Sequence, residues 1–247
     1  MIGKDEKVHI AFVHADIVDA QFCFSMMDIC YRFSERIGSI NIFNGLGLLA
    51  KSRNVAVKNF LENTTDDWLF FTDTDQYVTL EAFDKLLMSI DKEEKPIVAA
   101  LVFAGFREGL ELRPVPAIFK MTEDMGMQPY YDYQKDSLIE IFACGTGCFI
   151  VHRSVLEKLR EVGTEQFGAD WCWFQDGPIQ GNMWLSEDLM FCYRLQSAGI
   201  KIHAHTGALI PHKKEQWVTE KDYSAWYEKN KDNPHKNHKE VSVMEIG

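Results

Sequence analysis

Trp68-Leu69-Phe70-Phe71-Thr72-Asp73-Thr74-Asp75-Gln76-Tyr77-Val78 is the stretch that decides the reading of this chain. Its four apolar residues, Trp68 to Phe71, lead through Thr72 into Asp73-Thr74-Asp75. A short aromatic-rich run followed at once by acids predicts a buried parallel strand that ends at the rim of a sheet. Open α/β sheets bind ligands outside the carboxyl ends of their strands. Two carboxylates one residue apart at such a rim can share a hard divalent cation, and Mg²⁺ or Mn²⁺ in turn takes oxygens from a diphosphate. Asp is also common after strands because it favours turns and helix caps. The motif therefore takes its weight from the rest of the chain.

Working outward, Val8 to Val13 (VHIAFV) predicts a first strand with His14-Ala15-Asp16 at its end. Asp19 to Ile37 is mostly helical in period, and its Met and Phe stripe reads as core. Ser39 to Phe43 suggests a second short strand. Leu46 to Glu62 is an amphipathic helix with Arg53 and Asn54 in its middle. After the Asp73-Thr74-Asp75 strand come a helix over Thr79 to Ile90, capped by Thr79, and a buried strand over Pro96 to Phe103. Strand and helix alternating in this way predict a single α/β domain with a mostly parallel, doubly wound sheet.

The second half changes character. Phe106 to Gln134 reads as irregular. Leu138 to Phe142 and Cys148 to His152 suggest strands around Gly145-Thr146-Gly147, and Arg153 to Val162 a helix. Gly163 to Trp184 reads as a long loop holding Trp171, Trp173 and Trp184. Ser186 to Ala198 is a helix with Ser186 as N-cap and Glu187 and Asp188 in its first turn, ended by Gly199. Ile200 to His205 is a strand, and His212 follows Pro211. Lys229 to Lys239 is a polar tail.

Composition narrows the classes. The chain has 247 residues, of which 46% are hydrophobic, enough for a sizeable core. Its 26 basic and 37 acidic residues give a net charge of −11, which argues against a surface built to coat nucleic acid. No stretch approaches the roughly 20 apolar residues of a membrane span, and the N-terminus lacks the apolar core of a signal peptide. A cytoplasmic protein is expected. The six cysteines, Cys23, Cys30, Cys144, Cys148, Cys172 and Cys192, form no C-x-x-C pair and read as free thiols in a reducing compartment.

An opening strand, a helix with Arg53-Asn54, the Asp73-Thr74-Asp75 motif, and Glu187-Asp188 followed by a late His212 come in one order. The run EDLMFCYRLQSAGIKIHAHTGALIPH, residues 187–212, adds an aromatic-Cys-x-Arg helix, a Gly, a strand and a His. This set resembles the nucleotide-sugar glycosyltransferases of the A-type fold, close to the family-2-like group and its small phage-type members. The resemblance covers about residues 8–215. It implies a single Rossmann-like glycosyltransferase domain over 1–217, with a nucleotide half over 1–104 and an acceptor half over 105–217. A C-terminal helix and polar tail fill 218–247.

The resemblance also implies roles for matching positions. Asp75 is the main ligand of Mn²⁺ or Mg²⁺, with His212 joining it and Asp73 holding metal or ribose. His14, Ala15 and Asp16 line the nucleotide, with Thr74 and Lys213 beside it, and Arg53 reaches the nucleotide or steadies Asp73. The donor is a nucleotide-diphosphate sugar, a UDP-sugar favoured. Gly145, Thr146 and Gly147 let backbone approach sugar or acceptor. Asp188 is the base for an inverting reaction, and Glu187 orients it or binds the acceptor. Trp171, Trp173 and Trp184 offer flat faces to an acceptor sugar or an extruded base. The acceptor is a saccharide or, as in some phages, a modified base in DNA.

Elementary chemistry runs the same way. Breaking a sugar–diphosphate bond builds negative charge on the leaving phosphate, which a bound cation stabilises, and Lys213 and Lys214 could add to it. The acceptor hydroxyl needs a carboxylate within reach. The alternatives are a non-catalytic nucleotide-sugar or glycan-binding protein and a sugar-phosphate nucleotidyltransferase. The latter needs a Gly-rich basic loop that His14 to Ala20 does not supply. A dehalogenase-type phosphatase is the remaining alternative; it has Thr or Val where Tyr77 stands, and carries its acids on the first strand.

Overall fold

The structure, a computed structural model, describes residues 2–14, 17–45, 48–108, 111–122, 126–179, 184–214 and 220–230. Ala15 and Asp16 lie outside the described residues. The first half runs β1 (Val8–His14), α1 (Ala20–Arg32), β2 (Ile37–Asn44), α2 (Leu49–Asn63), β3 (Trp68–Asp73), α3 (Leu80–Ser89) and β4 (Ile97–Glu108). The second runs β5 (Glu111–Pro116), β6 (Ile118–Met121), β7 (Met127–Pro129), β8 (Leu138–Ile141), β9 (Ala143–Cys144), β10 (Cys148–His152), α4 (Arg153–Phe167), β11 (Gly177–Pro178), β12 (Trp184–Leu185), α5 (Glu187–Ser197), β13 (Ile202–Ile210) and α6 (Glu220–Asn230).

The main sheet has the order β2-β1-β3-β10-β4-β13-β8, with β5 paired to β4. β1 pairs in parallel with β2 and β3, and β4 with β13. β10 runs antiparallel to both β3 and β4, and β8 antiparallel to β13. The sheet is therefore mostly parallel but mixed. A helical crossover alone would set β3 beside β4; β10 is inserted between them, returning from the Gly145–Gly147 turn to feed α4.

Successive side chains of a strand face opposite ways. On one face Ala11, Leu69, Phe71, Phe149 and Val151 meet α2, α4 and α5 through Phe60, Leu156 and Phe191. On the other, Val8, Ile10, Phe12, Phe70 and Ile150 meet α1 and α3 through Phe22, Ile29, Phe83 and Leu86. Helices cover both faces, which is why the central strands read as continuous apolar runs.

Helix starts follow their caps. Asp19 accepts from the Gln21 amide at 2.8 Å and Thr79 from the Ala82 amide at 3.1 Å. Ser186 makes no side-chain cap bond; Asp176, from the preceding loop, takes the Glu187 amide at 3.1 Å instead. At the other end of α2, the Arg153 guanidinium donates to the carbonyls of Phe60, Leu61 and Thr64. It satisfies acceptors that a helix C-terminus leaves open.

Three stretches differ from expectation. Residues 106–134, expected to be irregular, hold the end of β4 and strands β5, β6 and β7. Their Gly and Pro residues mask the alternation. α4 runs on to Phe167 and stops where Gly168 turns to φ 66°. β13 continues past His205 to Ile210 by way of a bulge between His205 and Leu209. All six cysteines are free, and Cys144, Cys148 and Cys192 are buried. Among the described residues, no helix is long and apolar enough to cross a membrane.

The chain forms two compact units: one of 1–104 with 114–213, the other of 105–113 with 214–247. The first holds both cores and every site residue discussed below. In the second, α6 stacks Tyr223 on Tyr227, four residues on, with ring centroids 5.8 Å apart.

His9 makes a stability prediction. It is fully buried on β1, with Nδ1 2.7 Å from Ser39 Oγ, and the Ser39 hydroxyl donates to Asp66. Burial pushes the imidazole from 6.5 down to about 4, against the pull of Asp66. Between those values the unfolded chain binds the proton and the folded chain does not. Stability therefore falls as pH drops from about 6.5 toward 4, by at most about 3 kcal/mol from this group. Urea unfolding at pH 7 and pH 4.5 should show a smaller loss for His9→Gln than for the parent chain. Equal losses in the two proteins would remove His9 from the account.

Candidate active site

The end of β3 is tied to two other segments. The Asp73 amide donates to the Gly147 carbonyl at 2.7 Å, continuing the β3–β10 pairing and bringing the Gly145-Thr146-Gly147 turn to the rim. Beyond Asp73 the chain zips antiparallel onto residues 211–213. Tyr77 donates to the Pro211 carbonyl at 2.9 Å and Lys213 to the Asp75 carbonyl at 2.8 Å, with a bridge between Gln76 and His212.

That zipper sets His212 Nε2 2.9 Å from Asp75 Oδ2. Nδ1 lies 3.1 Å from the Phe103 carbonyl. A carbonyl can only accept, so Nδ1 carries the hydrogen, and the Nε2 lone pair of the neutral ring faces a carboxylate. Proteins hold metal-ligating histidines this way, one nitrogen donating to a carbonyl and the other turned to the ion. Either a proton or a cation satisfies the pair. Among the described residues no three His, Cys, Asp or Glu side chains converge as a complete metal cage. Two protein donors suit an ion that completes its shell with phosphate oxygens and water.

Asp73 belongs to a different constellation. Both its oxygens accept from Arg53 Nη2, at 3.1 and 3.2 Å. Arg53 Nη1 donates to Thr146 Oγ1 at 2.6 Å, to Glu187 Oε1 at 3.2 Å and to Asp188 Oδ1. The guanidinium is 1% exposed and sits between the Phe71 and Phe174 rings, 5.9 and 5.7 Å from their centroids. Burial opposes its charge, but the carboxylates of Asp73, Asp188 and Glu187 outweigh that and hold its pKa above the ordinary value. One cation cannot neutralise three carboxylates. Asp73 is pushed above the usual carboxylate range, first by burial and then by Asp188 and Asp75, with Arg53 opposing. Glu187 is raised by burial and by Asp188.

Asp188 is held by one oxygen. Oδ1 takes both Arg53 and the Thr146 hydroxyl. Oδ2 accepts no hydrogen bond among the described residues, and it lies 3.8 Å from where a Cβ on Gly145 would stand. The carboxylate is thus oriented by one oxygen while the other can receive a proton.

The remaining expected residues divide. His14 ends β1 beside Asn44 and is half-buried. Lys213 forms an ion pair with Asp19, the cap of α1. The three tryptophans do not act together. Trp173 is wholly buried, its Nε1 donating to the Leu156 carbonyl at 2.8 Å, so it is core and not an acceptor platform. Trp171 is 48% exposed and lines a cavity of about 820 Å³ with Leu48, Val55 and Phe174. Trp184 is 68% exposed on β12. His205 Nδ1 accepts from the Gly207 amide at the β13 bulge, and the His152 ring caps α4, so neither joins the rim.

Sequence reasoning assigned no part to Asn54, Asp176 or Phe174. The Asn54 carboxamide takes the Trp173 and Phe174 amides at 3.0 and 2.8 Å and donates to the Phe174 carbonyl. It fixes the ring on which Arg53 rests. The trace in the sequence is the Arg53-Asn54 pair itself, two polar residues side by side on the face that α2 buries with Ala56, Val57 and Phe60.

A buried arginine gripping carboxylates beside an Asp75–His212 pair lies at the carboxyl rim of an α/β sheet, where such folds place their ligand sites. Comparison with known proteins makes the class particular. Residues 49–160 match the sequence model of glycosyl transferase family 2. The solved structure of GalNAc-T7 with UDP, GalNAc and Mn²⁺ is similar at a TM-score of 0.51 and 12% identity, over 85% of this chain; the chain spans 43% of the length of that one. A197 from STIV is similar at a TM-score of 0.49 and 13% identity, over 86% of this chain and 97% of that one. A search of curated proteins returned no match. The family-2 match over residues 49–160 and the shared A-type fold together support a glycosyltransferase.

Arg53 then carries a prediction. Arg53→Ala strands three partly buried carboxylates and should lower the unfolding free energy by about 3–5 kcal/mol in urea titrations. Arg53→Lys keeps the charge but loses the planar fork, and should lie between the two. A change below about 0.5 kcal/mol for Arg53→Ala would mean the guanidinium is solvated.

Proposed function

We propose that the chain moves a sugar from a nucleotide-diphosphate sugar, a UDP-sugar favoured, to a hydroxyl of a saccharide acceptor, with Mn²⁺ or Mg²⁺ at Asp75 and His212. The observation that carries this reading is the placing of two constellations at one sheet rim: the Asp75–His212 pair and the Arg53-held carboxylates of Asp73, Glu187 and Asp188. The A-type fold shared with GalNAc-T7, solved with UDP, GalNAc and Mn²⁺, supports both donor and ion.

In this reading Asp75 and His212 would hold the ion, which would supply positive charge opposite the leaving diphosphate. The protein groups do the rest. Asp188, fixed through Oδ1 by Arg53 and Thr146, takes the acceptor proton on Oδ2. Glu187, raised by burial, holds an acceptor hydroxyl. Gly145 keeps the approach to Oδ2 open, since a Cβ there would stand 3.8 Å from it and 3.3 Å from the Ala117 Cβ. His14 and Thr74 border the nucleotide. Lys213 can exchange Asp19 for a phosphate. The free cysteines fit a reducing, cytoplasmic setting.

Calorimetry with Mn²⁺ and UDP, or GDP where UDP does not bind, tests the donor side. Asp75→Ala and His212→Ala should each abolish the Mn²⁺-dependent part of nucleotide binding; retained binding would sink the metal assignment. Asp188→Asn should leave donor affinity within about twofold and lower kcat by roughly 10²-fold or more. Parallel loss of donor affinity and turnover would make Asp188 a structural anchor.

The acceptor side has its own test. Trp171→Ala and Trp184→Ala should raise the acceptor KM while slow hydrolysis of the donor survives. Trp173→Ala should act through stability, costing about 3–5 kcal/mol. The −11 charge favours a saccharide over DNA. A steep fall of acceptor affinity with rising salt would point to DNA instead.

A further inference from the structure

Gln76 follows Asp75 on the segment zipped to His212, and it is 2% exposed. Its Oε1 is buried with no hydrogen-bond partner, and its Nε2 makes none with any described residue. Nε2 stands 2.1 Å from the point a Cβ on Gly147 would occupy, and Asp73 Oδ2 stands 3.0 Å from the same point. Position 147 therefore has to be Gly while Gln76 keeps this place. The Gln76 amide takes the space a side chain at 147 would fill, so an amide donor and the Asp73 carboxylate stand close together over bare Gly147 backbone.

A packing role does not explain the amide. A buried carbonyl without a partner destabilises the fold, and native structures keep few such groups. Met would fill the same volume with no polar atom to strand. The unused donor also faces the one part of the rim where Asp73, Asp75 and the Gly145–Gly147 turn meet. A hydroxyl both accepts and donates. Seated over Gly147, it would accept from Gln76 Nε2 and donate to Asp73 Oδ2, which still has lone-pair capacity beside Arg53.

We propose that Gln76 determines sugar specificity: with Asp73, it reads a hydroxyl of the transferred sugar across Gly147. The inference rests on the donor reading given under Proposed function, and names which side chain selects the sugar. It needs no change of charge at the site and no movement of the Asp75–His212 pair.

The test separates sugar from nucleotide. UDP and GDP, and the glucose, galactose, N-acetylglucosamine and mannose diphosphonucleosides available for them, are titrated with Mn²⁺ into the full chain. Gln76→Met should bind the free nucleotide within about twofold of the parent and the preferred nucleotide sugar about tenfold more weakly, the value of one hydrogen bond. Its Tm should equal or exceed that of the parent, because a stranded carbonyl has been removed. Gln76→Glu, which keeps the shape and replaces the donor by an acceptor, should show the same loss if Gln76→Met fails to fold. Donors deoxygenated at single ring positions complete the cycle. One deoxy position should cost the parent about tenfold more than it costs Gln76→Met, which has already lost the Gln76 bond and retains only the one to Asp73.

The inference is overturned if Gln76→Met keeps the parent's ratio of nucleotide-sugar to nucleotide affinity. It is also overturned if both variants lose nucleotide and sugar equally along with stability, which would make Gln76 a structural wedge. A parent chain that binds no member of the panel overturns the donor reading and this inference together, an outcome distinct from either of those.

Discussion

A guanidinium taken out of water needs carboxylates, and the fold around Arg53 is arranged to supply them. Asp73 comes from the end of β3, Glu187 and Asp188 from the first turn of α5, and the Thr146 hydroxyl from the turn before β10. These groups lie 20 to 135 residues from Arg53 in sequence. Two phenyl rings border the buried guanidinium, and the loss of water strengthens each contact by lowering the local dielectric. The neighbouring Asn54 fixes one of those rings from the next position on the same helix. One residue of α2 thus gathers the carboxylates, and the next fixes the floor beneath. Removing either partner of such a group leaves an uncompensated charge inside, so the site and the fold share one determinant.

The rim carries a second arrangement, joined to the first by the backbone. The zipper of residues 75–77 on 211–213 hands His212 to Asp75, and the Phe103 carbonyl from β4 turns the ring. Because β4 lies next to β13 and β10 lies between β4 and β3, the antiparallel insertion of β10 matters for chemistry. It places the start of β10, and so Gly147, against Asp73. A sheet that ran β3 directly to β4 would leave no Gly145–Gly147 turn at this rim.

The sequence made the frame legible where hydrophobic period was strong. β1, β3 and the core of β4 announce themselves as apolar runs, and α2 and α5 as amphipathic or acid-led helices, so the rim positions of Asp73, Asp75, Glu187 and Asp188 followed. Direction did not. Period two sends Asp73 and Asp75 off one strand end in a common sense, yet the turn between them lets Asp73 bond to Arg53 and Asp75 to His212. Nothing in the run from Gly163 to Trp184 distinguishes Trp173, which is core, from Trp171, which is half exposed. The same limit hid Asp176 as the cap of α5, since Ser186 occupies the expected place and only coordinates show that its hydroxyl is not used. The β strands between 106 and 134 were missed because short strands with Gly and Pro carry too few residues to display a period.

The two constellations also divide the electrostatic work. Around Arg53 three carboxylates exceed one cation, so that side of the rim is negative; the raised pKa values of Asp73 and Glu187 come first from burial and then from the crowding of acids. A sugar carbon that gains positive character as its bond to phosphate lengthens is stabilised by such a field. In the proposed reading a diphosphate would need the opposite sign, and the groups assigned to it stand on the zipper: Asp75 and His212, which would hold the ion, and Lys213, now paired with Asp19. With an ion held there, the breaking bond would span from a carboxylate-rich wall to a cationic one. Fixed charges of opposite sign at the two ends of a bond favour the separated transition state over the neutral ground state, because their alignment is settled by folding and costs nothing at the moment of reaction. Arg53 holds the negative wall in place without neutralising it, which a closer match of one cation to one anion would not achieve.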